Sequence, residues 1–356
     1  MAKIDSKYHD LVKEIQSKGY SYEDPNRKGV MRKELAHYII EHDFKDGFPA
    51  ITTKQLAWKS VVGELLWILR GDTNIKYLVD NKIPIWNKDA YNYAISNCNY
   101  NKPIESFIND VVKGNKFQGH TFKLGDIGRG YGAQLRGFGV IEADGGVWHK
   151  GVDQLKELID TLKNNPMATK KTVTFWNPDD TDTALTPCHW SFEVLVEPLY
   201  LGERVDLCNE EVYYNGDSTT AKHELFLDNK GVPKYQLSIK WHQHSVDVFH
   251  GLPFNIASYG LLAQILAKLT NMVPKRIIGD LSNVHIYEPH FDAINDQMSR
   301  DVNTYGECGL NYFGGMKLDM HGDIDEWLSS KNISDFTLNG YKSHPRIVAE
   351  MLPYSN

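Results

Sequence analysis

The segment Tyr235 to Met272 restricts what this chain can fold into more than any other. Leu237, Ile239 and Trp241 alternate there with Ser238, Lys240 and His242. That two-residue period belongs to a strand with one buried face. Polar or ionisable residues then crowd together: His242, Gln243, His244, Ser245, Asp247 and His250. Gly251-Leu252-Pro253 breaks the strand, and Asn255 stands where a helix N-cap is expected. From Ile256 onward, Leu261, Leu262, Ile265, Leu266 and Leu269 recur at helical spacing, which predicts a largely buried helix. A strand end rich in donors and acceptors, running into a helix N-terminus, suits an anionic ligand that carries a ring. The plainer alternative is a strand–turn–helix with a polar lip and no ligand.

A chain of 356 residues holds one large domain or two ordinary ones. The net charge of −7 gives no general attraction to nucleic acid or to an anionic membrane. Any anionic substrate must then be met by a local group of basic side chains. No apolar run is long enough to span a bilayer, and the N-terminal MAKIDSKYHDLVKEI is an amphipathic helix candidate without the apolar core of a signal peptide. Cys98, Cys188, Cys208 and Cys308 are widely spaced with no CxxC pair, so neither zinc nor a disulfide framework is expected. A cytosolic enzyme with reduced thiols is the simplest fit.

Along the chain, residues 1–20 read as a helix, 21–34 as a basic loop carrying Arg27, and 35–44 as a strand. Residues 54–69 are apolar on nearly every face and predict a buried helix with Glu64 in its middle. A buried carboxylate without a partner is costly, so Glu64 is either paired or functional. Asp72 and Thr73 are placed to cap a further helix that leads to Trp86. Residues 91–124, polar and Asn-rich, read as an insertion; 124–139 read as a glycine-rich loop that fits no phosphate-binding fingerprint. A helix is expected over 153–164, and strands over 170–175 and over 184–197, the latter containing Cys188. Residues 198–234 read as a second insertion forming a hairpin or lobe. Strand-like runs follow near 282–287 and 312–318, and the closing residues read as a mobile tail.

Cys188 lies in Thr186-Pro187-Cys188-His189. A thiolate is a strong soft nucleophile, although a lone cysteine is more often a small buried hydrophobe. Taken together, ALTPCH, WHQHSVDVFHGLPFNIASYG, SVVGELLWILRGDTN and GDLSNVHIYEPH resemble the thymidylate synthase family, over about residues 8–350 without the two insertions. The resemblance implies a single α/β (α+β) domain over 1–356 around a large bent mixed sheet. It also implies a symmetric homodimer in which two such sheets pack face to face.

It further implies chemistry on dUMP with 5,10-methylenetetrahydrofolate as co-substrate, no metal, and no need for nucleic acid or membrane. Addition of the Cys188 thiolate to uracil C6 would make C5 an enolate carbon able to attack a one-carbon iminium. On the family's pattern Glu64 manages protons, Tyr131 lies near the departing C5 proton, and His189 adjoins the nucleophile as a further catalytic residue. Asn255 would read the O4 and N3–H edge of uracil, with Gln243 beside it. His285 and Tyr287 would hold the ribose 3′-hydroxyl. Asp247, Trp86, Lys54 and Glu64 would face the folate. Arg27 and Ser245 match phosphate ligands, whereas Lys170 and Lys171 stand where the partner subunit supplies two arginines, and His244 stands where another arginine belongs. Asp89 replaces a second tryptophan, and the tail runs past the family's usual end.

Arginine grips phosphate through two parallel hydrogen bonds and keeps its charge; lysine and histidine do not match it. Weaker phosphate binding is therefore expected. Reductive methylation to dTMP is the leading expectation. The alternative is deoxyuridylate hydroxymethylase, in which water replaces hydride; a non-catalytic nucleotide- or RNA-binding relative is a third reading. The expected compartment is the cytoplasm, that of a host if the chain is viral.

Overall fold

A computed structural model describes residues 3–114, 123–139, 141–143, 147–149, 151–180, 182–208, 220–312 and 323–352. Its centre is a seven-stranded mixed sheet. The strands are β1 (Tyr20–Glu23), β2 (Met31–Asp43), β3 (Thr172–Thr174), β4 (His189–Pro198), β5 (Tyr235–Gln243), β6 (Val246–Asp247) and β7 (Val273–Tyr287). They run in the order β1-β2-β7-β5-β4-β3, with β6 also against β7. The β7 pairings to β5 and β6 are parallel, and the remaining pairings are antiparallel. A parallel neighbour requires a crossover, and the helix Leu252–Leu269 supplies it between β5 and β7. Bulges at His189/Ser191 and at Leu237/Ser238 interrupt the ladders and sharpen the local twist.

The helices used below are α1 (Lys3–Lys18), α2 (Trp58–Leu69), α3 (Tyr131–Gly137), α4 (Gln154–Asn164) and α5 (Leu252–Leu269). One sheet face carries Leu237, Ile239, Trp241, Phe192, Val194, Ile277 and Leu281, all buried. Trp241 stacks on Tyr259 of α5, with ring centroids 4.8 Å apart and planes 11° from parallel. The indole also lies over Gly279, where a Cβ would come within 2.4 Å of Trp241 Cζ2, so any larger residue would push the ring off. Truncating a fully buried α5 leucine such as Leu266 to alanine is expected to cost about 2–5 kcal/mol. The opposite face exposes Ile39, Trp190 and Leu195. Beside them Asp280 pairs with His37 at 2.8 Å, and Lys240 lies between Asp280 and Glu193.

The structure corrects several expectations. The supposed basic loop 21–34 holds β1 and the start of β2 as a hairpin, leaving 24–30 as its turn. Its buried Arg32 pairs with Asp24 at 2.7 Å and with Glu34 at 2.8 Å. Asp72 caps no helix; it accepts from the Asn74 N–H, and the short helix Lys76–Asp80 has Ile75 at its cap. Within 91–124, read as an insertion, the described residues include the end of helix Asn87–Cys98 and helix Ile104–Val112, which the sequence pattern does not indicate. In 198–234, expected as a hairpin or lobe, the described residues form helices Leu201–Asp206 and Thr220–Asn229. Part of the glycine-rich loop is α3, which begins at Tyr131. Asn255 is not a cap: α5 starts at Leu252 behind Gly251, with Pro253 in its first turn, where a missing N–H costs nothing. Cys188 precedes β4 rather than lying inside it. The run at 282–287 is the end of the 15-residue β7, and of 312–318 only Tyr312, ending strand Gly309–Tyr312, lies within the described residues.

Candidate active site

Cys188 leaves an irregular loop just as β4 begins, and its main chain is held from two sides. Its N–H donates to the Tyr131 hydroxyl at 2.8 Å, and its carbonyl accepts from the His244 N–H at 3.0 Å. The register that pairs His189 with Gln243 keeps β4 and the end of β5 together here. Burial pushes the Cys188 thiol up to about 11; the Arg27 charge opposes this and Asp89 adds to it.

Tyr131 is buried at the start of α3, among Trp86, Phe175 and His189, at ring distances of 6.1, 5.5 and 6.1 Å. Burial first, then the nearby Cys188 and Glu64, hold its hydroxyl well above the usual phenol range, so it is neutral. Glu64 accepts from Trp86 Nε1 at 2.7 Å. Burial raises its carboxyl to about 7, and the Trp86 hydrogen bond pulls the other way. A carboxyl near neutrality can both give and take a proton at working pH. His189 lies between Tyr131 and Tyr259; burial, followed by His244, depresses it to about 3, so its ring is neutral.

At the end of β5, Gln243 donates through Nε2 to the Ser245 carbonyl at 2.9 Å and to Asn255 Oδ1 at 3.2 Å. Trp241 Nε1 donates to Gln243 Oε1 at 3.3 Å, which fixes the orientation of the Gln243 amide. Asn255 therefore keeps its NH2 and a second Oδ1 lone pair for another molecule. That donor–acceptor edge matches the O4 acceptor and N3–H donor of a uracil ring.

His285 is fully buried on β7, paired in register with Asp247 of β6. Its Nδ1 donates to the Asn283 carbonyl at 2.7 Å, and burial lowers its pKa. The neutral ring then presents Nε2 as an acceptor, and Nε2 is buried without a protein partner. A ligand hydroxyl would satisfy it. Tyr287 packs edge-on at 4.7 Å, and the Arg27 guanidinium covers the Tyr287 ring at 4.8 Å. Arg27 also meets Asp24 at 3.6 Å and donates from Nε to the Leu352 carbonyl at 3.2 Å.

Asp247 turns its Oδ1 to the N–H groups of Phe249 and His250, at 2.9 and 3.0 Å. Lys54 donates from Nζ to the Phe249 carbonyl and lies over the Phe249 ring. Burial brings the Lys54 ammonium down to about 8, with Asp247 opposing the shift. The structure thus brings together Cys188, His189, Tyr131, Glu64, Trp86, Gln243, His244, Ser245 and Asn255, with Arg27, His285, Tyr287, Asp247 and Lys54 forming an adjoining rim.

The two lysines lie elsewhere. Lys170 is exposed before β3, whereas Lys171 is buried and donates to the Pro166 and Ala168 carbonyls of its own loop. A separate cleft of about 490 Å3, lined by Thr73, Tyr93, Asp126, Arg129 and Arg136, contains none of the candidate catalytic or binding residues. Its arginines are paired, Arg129 with Asp180 and Arg136 with Asp153 and Asp325. Among the described residues no group of three or more His, Cys, Asp or Glu is placed to hold a metal ion, and no helix is long and apolar enough to cross a membrane.

The sequence pattern predicts a mobile tail and gives no contact between it and His250 or His290. The described part of the tail is instead fastened: the His344 N–H donates to the Thr52 carbonyl at 2.8 Å, and the Glu350 carbonyl meets both His250 and His290. The signal was two histidines flanking the polar lip and β7, which no periodicity marks.

A protein-family model described as thymidylate synthase matches residues 6–353. A thymidylate synthase of Mycoplasma genitalium is 32% identical over 342 residues, covering 96% of this chain and 97% of that protein. One of Mesoplasma florum is 31% identical over 346 residues, covering 97% and 98%. A probable thymidylate synthase of Escherichia phage T5 is 34% identical over 327 residues, covering 92% of both. A family match over nearly the whole chain, on a fold that gathers Cys188, Tyr131, Glu64 and Asn255 at one site, leaves one assignment: the chain belongs to the thymidylate synthase family.

Proposed function

We propose that this protein is a thymidylate synthase that converts dUMP to dTMP, with 5,10-methylenetetrahydrofolate giving both the carbon and the hydride. The observation that carries the proposal is the convergence of Cys188, Tyr131, the Glu64–Trp86 pair and the Gln243–Asn255 pair. The Cys188 thiolate adds to C6, and the electrons pushed to C5 attack the one-carbon unit of the folate. Tyr131 and Glu64 serve the proton that leaves C5, Glu64 with its carboxyl poised near 7. His189, neutral and wedged between two tyrosines, supports the nucleophile's loop.

Asn255, oriented by Gln243, reads the uracil edge. His285 Nε2 and Tyr287 take the ribose 3′-hydroxyl, and Arg27, Ser245 and His244 surround the phosphate. Trp86, Asp247, Lys54 and Glu64 line the folate side. A homodimer packed through the sheet face bearing Ile39, Trp190 and Leu195 would bring Lys170 and Lys171 toward the partner's phosphate site; Lys171 would first have to release its own loop carbonyls. The compartment is the cytoplasm, and the domain is a single one across the chain.

The relatives named above are thymidylate synthases, so hydroxymethylation is not the favoured outcome. The deciding experiment is incubation with dUMP and methylenetetrahydrofolate, with mass spectrometry of the nucleotide and absorbance for dihydrofolate. dTMP with stoichiometric dihydrofolate is expected. 5-Hydroxymethyl-dUMP without dihydrofolate would overturn the assignment of the hydride step. A non-catalytic binding protein would form no covalent Cys188 adduct with 5-fluoro-dUMP and the folate.

A further inference from the structure

Two imidazoles outside the reaction chemistry aim at one atom. His290 Nε2 is 2.8 Å from the Glu350 carbonyl oxygen, and His250 Nε2 is 3.3 Å from it. A carbonyl only accepts, so both rings carry their proton on Nε2 and fill both of its lone pairs. The rings meet edge to face at 4.8 Å and pack on Phe249, at 4.8 Å for His250 and 5.5 Å for His290. His290 is buried, and the His250 main chain is fixed by Asp247.

Two residues further on, the tail touches the nucleotide rim, where the Leu352 carbonyl accepts from Arg27 Nε. Arg27 is close enough for its charge to act on the Cys188 thiol, and it stacks on Tyr287, which packs against His290. The tail is also tied further back, where Arg300 Nη1 donates to the Pro345 carbonyl at 2.7 Å.

We propose that His250 and His290 form a two-imidazole clamp on the Glu350 carbonyl, a pair of positioning residues that hold the C-terminal tail against the nucleotide site and keep water from the reacting carbon. The proposal rests on the thymidylate synthase assignment above. Once the folate has left C5, the nucleotide carries an electrophilic exocyclic methylene. Hydride from tetrahydrofolate forms a C–H bond there, the C5–C6 double bond is restored, and the C6–S bond breaks to release the Cys188 thiolate. Tetrahydrofolate is thereby oxidised to dihydrofolate. Water admitted instead forms a C–O bond and loses one proton to solvent; the same thiolate departs and nothing is oxidised. Tail position therefore sets the ratio of hydroxymethyl to methyl product.

The test uses the full-length protein, dUMP tritiated at C5 and methylenetetrahydrofolate, with wild type, His250→Leu and His250→Gln. Tritium release, the two nucleotide products and hydrogen exchange of residues 345–352 are measured. His250→Leu is expected to release tritium, to raise the hydroxymethyl fraction roughly fivefold, as the loss of one hydrogen bond implies, and to speed exchange of the tail. His250→Gln, whose amide can donate to the same carbonyl, should return both readouts to wild-type values. An unchanged product ratio and unchanged exchange in His250→Leu would overturn the clamp. Absence of tritium release from wild type would overturn the enzymatic assignment instead, while tail exchange in His250→Leu would still decide whether the clamp holds the tail.

Discussion

Glu64 connects the chemistry of this site to the stability of the whole fold. Its carboxyl is held at about 7 against an ordinary 4.5, chiefly by burial. The native protein therefore binds this proton more tightly than the unfolded chain does. That contribution is fully present below pH 4.5 and is lost as pH rises to 7, where the folded carboxyl also ionises. A difference of about 2.5 pKa units at 1.36 kcal/mol each amounts to roughly 3 kcal/mol. Glu64→Gln keeps an oxygen for the Trp86 N–H and removes the titration. Urea unfolding of both proteins at pH 4.5 and pH 8, at one fixed protein concentration, isolates the effect as a difference of differences. Between those two pH values wild type should lose about 3 kcal/mol more than Glu64→Gln, and the variant should be nearly inactive. Parallel stability curves would refute the claim that Glu64 is buried at the cost of its charge.

Three further outcomes follow from the same geometry. Trp86→Phe removes the donor to Glu64, so the carboxyl should rise by about one further unit and shift the acid limb of kcat/KM to higher pH; an unmoved limb would mean that Glu64 is not the titrating group. Asn255→Asp reverses the polarity of the base-reading edge, and the preference for dUMP over dCMP should fall by about a hundredfold or more; unchanged selectivity in a competition assay would remove Asn255 from base recognition. Burial lowers the His244 pKa and leaves its ring neutral at pH 7, so His244→Arg should lower KM for dUMP about tenfold and weaken its pH dependence; a raised KM would give the imidazole a role of its own.

The parts of the fold legible in the sequence were those set by local period. Leu237, Ile239 and Trp241 alternate because one sheet face is buried, and α5 is apolar nearly all round because it lies between the sheet and α2. The expected cap at Asn255 lies three residues inside the helix because Pro253, which can break a strand, is equally well suited to the first turn of a helix. Helix Asn87–Cys98 was missed because its buried stripe is only Ala90, Ala94 and Cys98, small residues at helical spacing among asparagines and tyrosines. Pairings between distant residues were not legible at all. Nothing local foretells that Trp86 will bond Glu64, that Gln243 will orient Asn255, or that Arg27 will meet Leu352. Family resemblance named every member of these pairs except Leu352, and their hydrogen bonds show how each is held.

The charge around Cys188 is where this chain's own residues matter most. Burial holds the Cys188 thiol at about 11, so at pH 7 it is overwhelmingly protonated. Arg27 lowers that value and Asp89 raises it, so the carboxylate of Asp89 works against ionisation of the thiol. His244 donates its main-chain N–H to the Cys188 carbonyl, but its ring, kept neutral by burial, adds no fixed positive charge. Arg27 itself is shared with Asp24, the face of Tyr287 and the Leu352 carbonyl. On the proposed reading, a dianionic phosphate at Arg27 would neutralise part of the charge that favours the thiolate, so binding the nucleotide would not by itself ionise the thiol. Loss of the thiol proton is then a step of the reaction rather than a property of the resting site. It also follows that Cys188 should resist oxidants in the free enzyme, because the thiolate is the species they attack.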